Sequence, residues 1–245
     1  MNVLVVDNYE QLSERACSII SRHIQSNPTS VLGLATGSTP LGTYKELINE
    51  YEQGRVDFQK VRTLNLDEYA GLGPDHPQSY RVFMQDHLFK YVNIDQANTY
   101  IPDGKANHLE NECVRYEQII ENMGPPDLQL LGIGENGHIG FNEPGSSFSS
   151  ETHIVELASS TREANARFFS SIEKVPNYAI TMGIRSILKS KKIVLLASGE
   201  RKAAAIERLL SGDVNEEFPA SALNHHDDVT LIVDREAYKQ IETKG

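Results

Sequence analysis

Short aliphatic runs alternate along this chain with longer stretches of helical period. Val3–Val6, Val31–Ala35, Val61–Leu66 and Leu128–Ile133 are dense in β-branched and aliphatic residues, the pattern of buried strands. Thr152–Leu157, Ala179–Met182, Ile193–Ala197 and Val229–Val233 continue the series. Between them, Gln11–Ile24 repeats apolar residues at Leu12, Ala16, Ile19, Ile20 and Ile24, which line up on one helical face. The stretches from about Pro40 to Tyr51, Ser79–Phe89, Leu109–Met123 and Glu200–Leu210 read as helices too, the last with Ala203, Ala204, Ile206 and Leu209 available for packing. Alternation of this kind predicts a mainly parallel sheet covered by helices on both faces, a Rossmann-like three-layer αβα sandwich. No repeat, low-complexity tract or long linker interrupts it, and Gly124-Pro125-Pro126 is too short for a hinge. Residues 1–245 are therefore expected to form a single α/β domain.

Composition narrows the classes of function. A chain of 245 residues buries roughly 70–75% of its unfolded surface, so its core needs no disulfide or metal staple. The formal charge of −11 argues against a nucleic-acid partner, which requires concentrated Lys and Arg. An anionic metabolite stays possible, because a local cluster of donors overrides a distant negative surface. Apolar runs such as Ile193–Ala197 are too short to span a bilayer, and Met1–Glu10 lacks the basic region of a signal peptide. A cytoplasmic protein with no membrane partner is expected. Cys17 and Cys113 provide neither a disulfide framework nor metal spacing; Cys113 is in step with Leu109, Tyr116 and Ile120, so both thiols read as inert core residues.

In open parallel sheets, ligands bind beyond the carboxyl ends of the strands. Three polar groups fall there: Thr36–Thr39, Asp67-Glu68 and Gly134–Glu143, and all should converge on one crevice. In the first, Gly37 permits a sharp turn that leaves N–H groups and the Ser38 and Thr39 hydroxyls pointing outward, with Pro40 at the first position of a helix. Such a turn suits a phosphate dianion; the competing reading is an ordinary helix cap by Ser38 or Thr39. It is not a P-loop, since no Gly-Lys-Ser/Thr follows. In the second group, Asp67 after a buried strand is a candidate general base, or else a turn cap or the partner of a surface lysine.

The third segment, Gly132–Pro144, contains a literal G-x-G-x-x-G at Gly132, Gly134 and Gly137. A dinucleotide site would need a helix opening at the third glycine, and Gly140, Pro144 and Gly145 oppose one. The loop instead offers one imidazole, His138, among glycines, with Glu143 five residues on to orient it or hold its cation. The glycines read as room for a small substrate; the alternative is a buried histidine satisfied by backbone. His225-His226-Asp227-Asp228 looks like a ligand set, but adjacent loop residues seldom share one ion, and no metal is expected. Arg167 and Lys202, taken alone, read as solvated helix surface.

Together the three loops closely resemble the glucosamine-6-phosphate deaminase/isomerase family. The resemblance runs through Gly33–Tyr44, Asn65–Leu72, Ser79–Phe89, Gly132–Phe148, Thr161–Phe169, Val175–Gly183, Ser198–Ala203 and Asp234-Arg235. It implies conversion of glucosamine 6-phosphate and water to fructose 6-phosphate and ammonia, with no metal or organic cofactor, because the substrate's own carbonyl is the electron sink. It also implies Asp67 as the base for enolisation, His138 with Glu143 and Asn136 for ring opening, and Gly37, Ser38, Thr39, Arg167 and Lys202 for the phosphate. Residues around 160–185 become a lid. Many relatives carry aspartate at position 136, so Asn136 is expected to orient by hydrogen bonds rather than take a proton. Longer, regulated relatives extend further and carry basic residues where this chain has His153 and Val155; activation by N-acetylglucosamine 6-phosphate and a hexamer are not expected, and a monomer or small homo-oligomer is.

Overall fold

The computed structural model describes residues 1–242, save the side chains of Ser160, Ala164 and Phe168. Its elements in chain order are β1 (Asn2–Val6), α1 (Tyr9–Ser26), β2 (Val31–Leu34), α2 (Leu41–Glu52), β3 (Arg62–Asn65), β4 (Asp67–Tyr69), α3 (Tyr80–His87), β5 (Thr99–Tyr100), α4 (Leu109–Met123) and β6 (Leu128–Gly132). There follow β7 (His153–Glu156), α5 (Ser159–Asn165), β8 (Tyr178–Thr181), α6 (Ile184–Leu188), β9 (Ile193–Ala197), α7 (Ala203–Leu210), β10 (Val229–Asp234) and α8 (Arg235–Glu242). Seven strands form a parallel sheet in the order β1-β10-β9-β6-β2-β3-β5.

Strand β9 shows why the sheet is covered on both sides. Ile193, Leu195 and Ala197 point into one apolar layer, Val194 and Leu196 into the other. The first layer takes Tyr116 and Ile120 from α4, Ile206 and Leu209 from α7, and Ala237 from α8. The second takes Leu12, Ala16, Ile20 and Ile24 from α1, Tyr44 and Leu47 from α2, and Met84 from α3. The apolar periods read in the sequence are thus the faces that close the sandwich, except that on α7 Ala205 is buried and the expected Ala204 is exposed.

Two features depart from the expected single sheet. The strands anticipated at 152–157 and 179–182 exist as β7 and β8, but they form a separate antiparallel sheet with β4 in the order β4-β8-β7. The strand anticipated through Leu66 ends at Asn65, because the chain changes sheets there. The Leu66 N–H still bonds to the Leu34 carbonyl of the main sheet (3.2 Å), while its carbonyl accepts from Met182 N–H beside the small one (2.7 Å). Residue alternation cannot report which sheet a strand joins.

After β5 the chain returns across β2 to lay down β6 on its other side, so the carboxyl ends of β2 and β6 diverge at a topological switch point. Tyr116 braces the rim of this opening from α4: its buried hydroxyl lies 2.6 Å from the Asn65 carbonyl and 3.1 Å from that of Tyr100. Removing the hydroxyl leaves a buried carbonyl and a half-buried one without it. Tyr116→Phe should lower unfolding stability by about 1–3 kcal/mol, read as a shift in the urea midpoint at unchanged slope. An unchanged midpoint would show that the brace carries no weight.

Candidate functional site

The switch point opens into a cleft of about 510 Å³, within the range of small-molecule sites. Its walls come from the ends of β2, β3, β6 and β9, with a cover from the segment after β7. All three loops singled out in the sequence line it. Gly37, Ser38 and Thr39 follow β2; Asp67 follows β3; Gly132–Asn136 and His138 follow β6. Arg167, still exposed, reaches the cleft from the turn after α5, and the half-buried Lys202 from the turn after β9. Glu143 stands just behind this lining.

No helix opens anywhere between β6 and β7, so the apparent nucleotide fingerprint is a loop. Two of its glycines serve the protein rather than a ligand, correcting the expectation that all make room for substrate. A Cβ on Gly134 would overlap the His138 ring (2.3 Å), and one on Gly137, at φ +88°, would overlap Phe218 (2.1 Å). Gly132 faces open space, whereas Gly140, at φ +57°, lies close to Thr181 Oγ1 (3.1 Å from a Cβ built there) and to Asp67 Oδ2 (3.5 Å). Only Gly132 reads as room in the cleft.

Asp67 is 6% exposed. The aromatic rings of Tyr69, Tyr80, Phe141 and Phe169 cluster beside it, with Tyr80 stacked on Phe141 at 6.0 Å. Burial, and secondarily the adjacent Glu68, push its carboxyl up to about 8. The two carboxylates differ in support. Glu68 turns its oxygens to the N-terminus of α3, accepting from the backbone N–H groups of Tyr69 (2.9 Å), Tyr80 (2.9 Å) and Arg81 (3.1 Å). The sequence reading allowed a capping role for Asp67; Ser79 caps α3 and Glu68 takes the free N–H groups of Tyr80 and Arg81, while Asp67 faces the cleft.

Asn136 joins the remaining groups. Glu143 is held below the ordinary carboxylate range: burial pushes it up, but the His138 ring, the Thr161 hydroxyl and the Asn136 amide together outweigh that. An ionised carboxylate can only accept, so it fixes the amide with Nδ2 donating to Glu143 Oε2 at 2.8 Å. Asn136 Oδ1 must then face His138, where it accepts from the backbone N–H (3.2 Å) and from ring Nδ1 (2.8 Å). The neutral imidazole carries its proton on Nδ1, leaving Nε2 as a base. Should the ring gain a second proton, Glu143 Oε2 lies 3.6 Å from Nδ1 to balance it.

The phosphate candidates show why the ordinary cap reading fails. Pro40 occupies the cap position of α2 rather than its first turn, and no side chain of that segment caps the helix. The Ser38 and Thr39 hydroxyls are not consumed in this way. Gly37 adopts φ +92°, a conformation that requires glycine. Burial lowers the pKa of the Lys202 ammonium, Glu135 opposing the effect. A buried cation short of compensating charge favours an anion beside it.

Two contributors escaped the sequence. Thr161, on α5, donates its hydroxyl to Glu143 Oε1, and Tyr80 walls the cleft beside Asp67. Neither lies at a strand end, so position along the chain carried no signal. In the 225–228 segment His226 is tied to the protein: it bonds through Nε2 to the Ser190 carbonyl (2.6 Å) and through Nδ1 to the Asp228 N–H (3.1 Å).

A family model described as glucosamine-6-phosphate isomerases/6-phosphogluconolactonase matches residues 7–232. The glucosamine-6-phosphate deaminase of Bacillus pumilus is 55% identical over 237 residues, 97% of this chain and 98% of its own length. That of Clostridium perfringens is 53% identical, over 99% and 100%. A solved structure of a monomeric glucosamine-6-phosphate deaminase superposes with a TM-score of 0.96 at 52% identity, covering 98% of this chain and 99% of that one. The 6-phosphogluconolactonase of Trypanosoma cruzi, 19% identical with a TM-score of 0.79 over 98% and 96%, shares the fold.

In ¹³C-aspartate-labelled protein, the Asp67 carboxyl should titrate near pH 8, well above the ordinary range. Glu68→Gln removes the like charge and should move that titration to lower pH. A titration near 4 in the unmodified protein would refute the buried-base reading.

Proposed function

The chain belongs to the glucosamine-6-phosphate isomerase/6-phosphogluconolactonase family, and we propose that it converts glucosamine 6-phosphate and water to fructose 6-phosphate and ammonia. The observation that carries this reading is the pairing, in one cleft, of a buried aspartate of raised pKa with a separately oriented His–Asn–Glu chain. Lactone hydrolysis needs one activated water. Aldose-to-ketose conversion needs two proton-transfer centres, one for oxygen and one for carbon.

The phosphate sits on the Gly37–Thr39 turn, with Arg167 as a planar fork and Lys202 as a compact charge. His138 Nε2 takes the proton of the C1 hydroxyl and delivers one to the ring oxygen, opening the pyranose; Glu143 balances the transient imidazolium. Asp67 then removes the C2 proton, giving a C1–C2 enolamine, and returns a proton to C1. The resulting C2 iminium adds water and releases ammonia, leaving the ketose. In the empty cleft Asp67 keeps its proton at neutral pH. An ammonium at C2 of the bound sugar supplies the opposite charge that ionises it, so the base is armed by its own substrate.

The segment around 160–185 acts as the lid over the sugar, supported by Thr161 meeting Glu143 and Arg167 meeting the cleft. Activation by N-acetylglucosamine 6-phosphate is absent in this reading. His153 Nδ1 is engaged with the Glu151 carbonyl (2.8 Å), and Val155 packs on the apolar cluster of the small sheet. The monomeric relative supports a monomer or small homo-oligomer. The buried, free thiols of Cys17 and Cys113 agree with a reducing cytoplasm. No helix of the described residues is long and apolar enough to cross a membrane.

Incubation with glucosamine 6-phosphate should release ammonia and fructose 6-phosphate in equal amounts; rapid 6-phosphogluconolactone hydrolysis without ammonia would overturn the proposal. Asp67→Asn should cut turnover by roughly 10²–10⁴, and near-normal turnover would remove Asp67 from the chemistry. Lys202→Ala should chiefly raise KM for the phosphorylated sugar. An equal loss with unphosphorylated glucosamine would show that Lys202 does not meet the phosphate.

A further inference from the structure

Helix α2 begins at the phosphate turn, yet its own sequence does not cap it. Pro40 has no donor or polar side chain to offer, and neither Ser38 nor Thr39 substitutes for it. The missing group comes from α1. The Tyr9 hydroxyl accepts from the Gly42 N–H at 2.8 Å, and its proton is shared between the carbonyls of Ser38 (3.1 Å) and Thr39 (3.0 Å). Gly42 makes this approach possible: a Cβ there would meet Ser13 Oγ at 2.1 Å and the Tyr9 ring at 3.1 Å. The Ser13 hydroxyl in turn bonds to the Tyr9 carbonyl (2.9 Å), tying the start of α1 to the same junction.

This arrangement settles which way the turn faces. A peptide carbonyl directed at a phosphate repels it, whereas a peptide N–H attracts it. Both carbonyls of the Ser38-Thr39 pair are drawn to Tyr9, which does not line the cleft. Their hydroxyls stay available for a ligand, because the helix terminus is satisfied from outside. We propose that Tyr9 is a positioning residue for the phosphate site, its hydroxyl holding the Gly37–Thr39 turn with its donors toward the cleft. The inference rests on the assignment of the sugar's phosphate to that turn.

Tyr9→Phe keeps the ring and removes the hydroxyl. KM for glucosamine 6-phosphate should rise roughly 2- to 10-fold, the worth of one or two such hydrogen bonds, with kcat changed less than about twofold. The dissociation constant for fructose 6-phosphate, measured by calorimetry, should rise by the same factor, while Tyr9→Ala should be at least as impaired. Unchanged binding of fructose 6-phosphate in Tyr9→Phe, or a loss confined to kcat, would overturn the role. A parent protein that binds fructose 6-phosphate but makes no ammonia would sink the deaminase reading and leave the Tyr9 comparison decisive. A parent protein that binds no fructose 6-phosphate would overturn the site and the role of Tyr9 with it.

Discussion

Asp67 occupies the place where the chain leaves one sheet for another, and keeping its carboxyl out of water is the constraint around which much of the site is arranged. The main sheet ends at Asn65, Leu66 bonds to both sheets, and Asp67 is already paired with Thr181 in the small one. A side chain there faces the cleft while its backbone is fastened on both sides. Burial alone would favour a neutral acid. The adjacent Glu68 adds a second bias in the same direction; burial pushes its own carboxyl up to about 7, against the N–H groups of Tyr69 and, at the start of α3, of Tyr80 and Arg81. The start of α3 and the basicity of Asp67 are thus one electrostatic arrangement, with the aromatic cluster as its dry wall.

The opposite side of the cleft follows a different logic. Glu143 is also buried but is held below the ordinary carboxylate range by the His138 ring, with Thr161 donating to one oxygen and Asn136 to the other. Because Thr161 belongs to α5, the carboxylate that orients the histidine also contacts the segment carrying Arg167. The side of the cleft that carries Arg167 is thereby joined to the carboxylate that orients the histidine.

Much of this was legible in the residues. The strand–helix alternation located the sandwich, and the rule that ligands lie past strand ends selected Gly37–Thr39, Asp67 and His138 without any knowledge of contacts. The illegible parts share a cause. The second sheet depends on pairing across more than a hundred residues (Asp67 with Thr181), which an alternating pattern does not encode. Tyr9 and Thr161 act through contacts between elements far apart in sequence, and each looks locally like an ordinary helix residue. Gly134 and Gly137 misled in a subtler way. Their density suggested ligand space, but close approach by His138 and Phe218 requires glycine as strictly as a substrate would.

The asparagine at 136 also gains a physical account. An aspartate there would place a second charge against Glu143, raising the pKa of one of the pair and letting either accept from the histidine. An amide removes that ambiguity, since it must donate with nitrogen and accept with oxygen. With Glu143 fixed as acceptor, the amide has one useful orientation, and the imidazole one useful tautomer. While Glu143 is ionised and the ring neutral, Nε2 is the nitrogen left free, and no third carboxylate is required to hold it so. The cost is a weaker counter-charge for the imidazolium, which falls to Glu143 alone at 3.6 Å. A chain with asparagine here trades some stabilisation of the protonated ring for certainty about which nitrogen does the work.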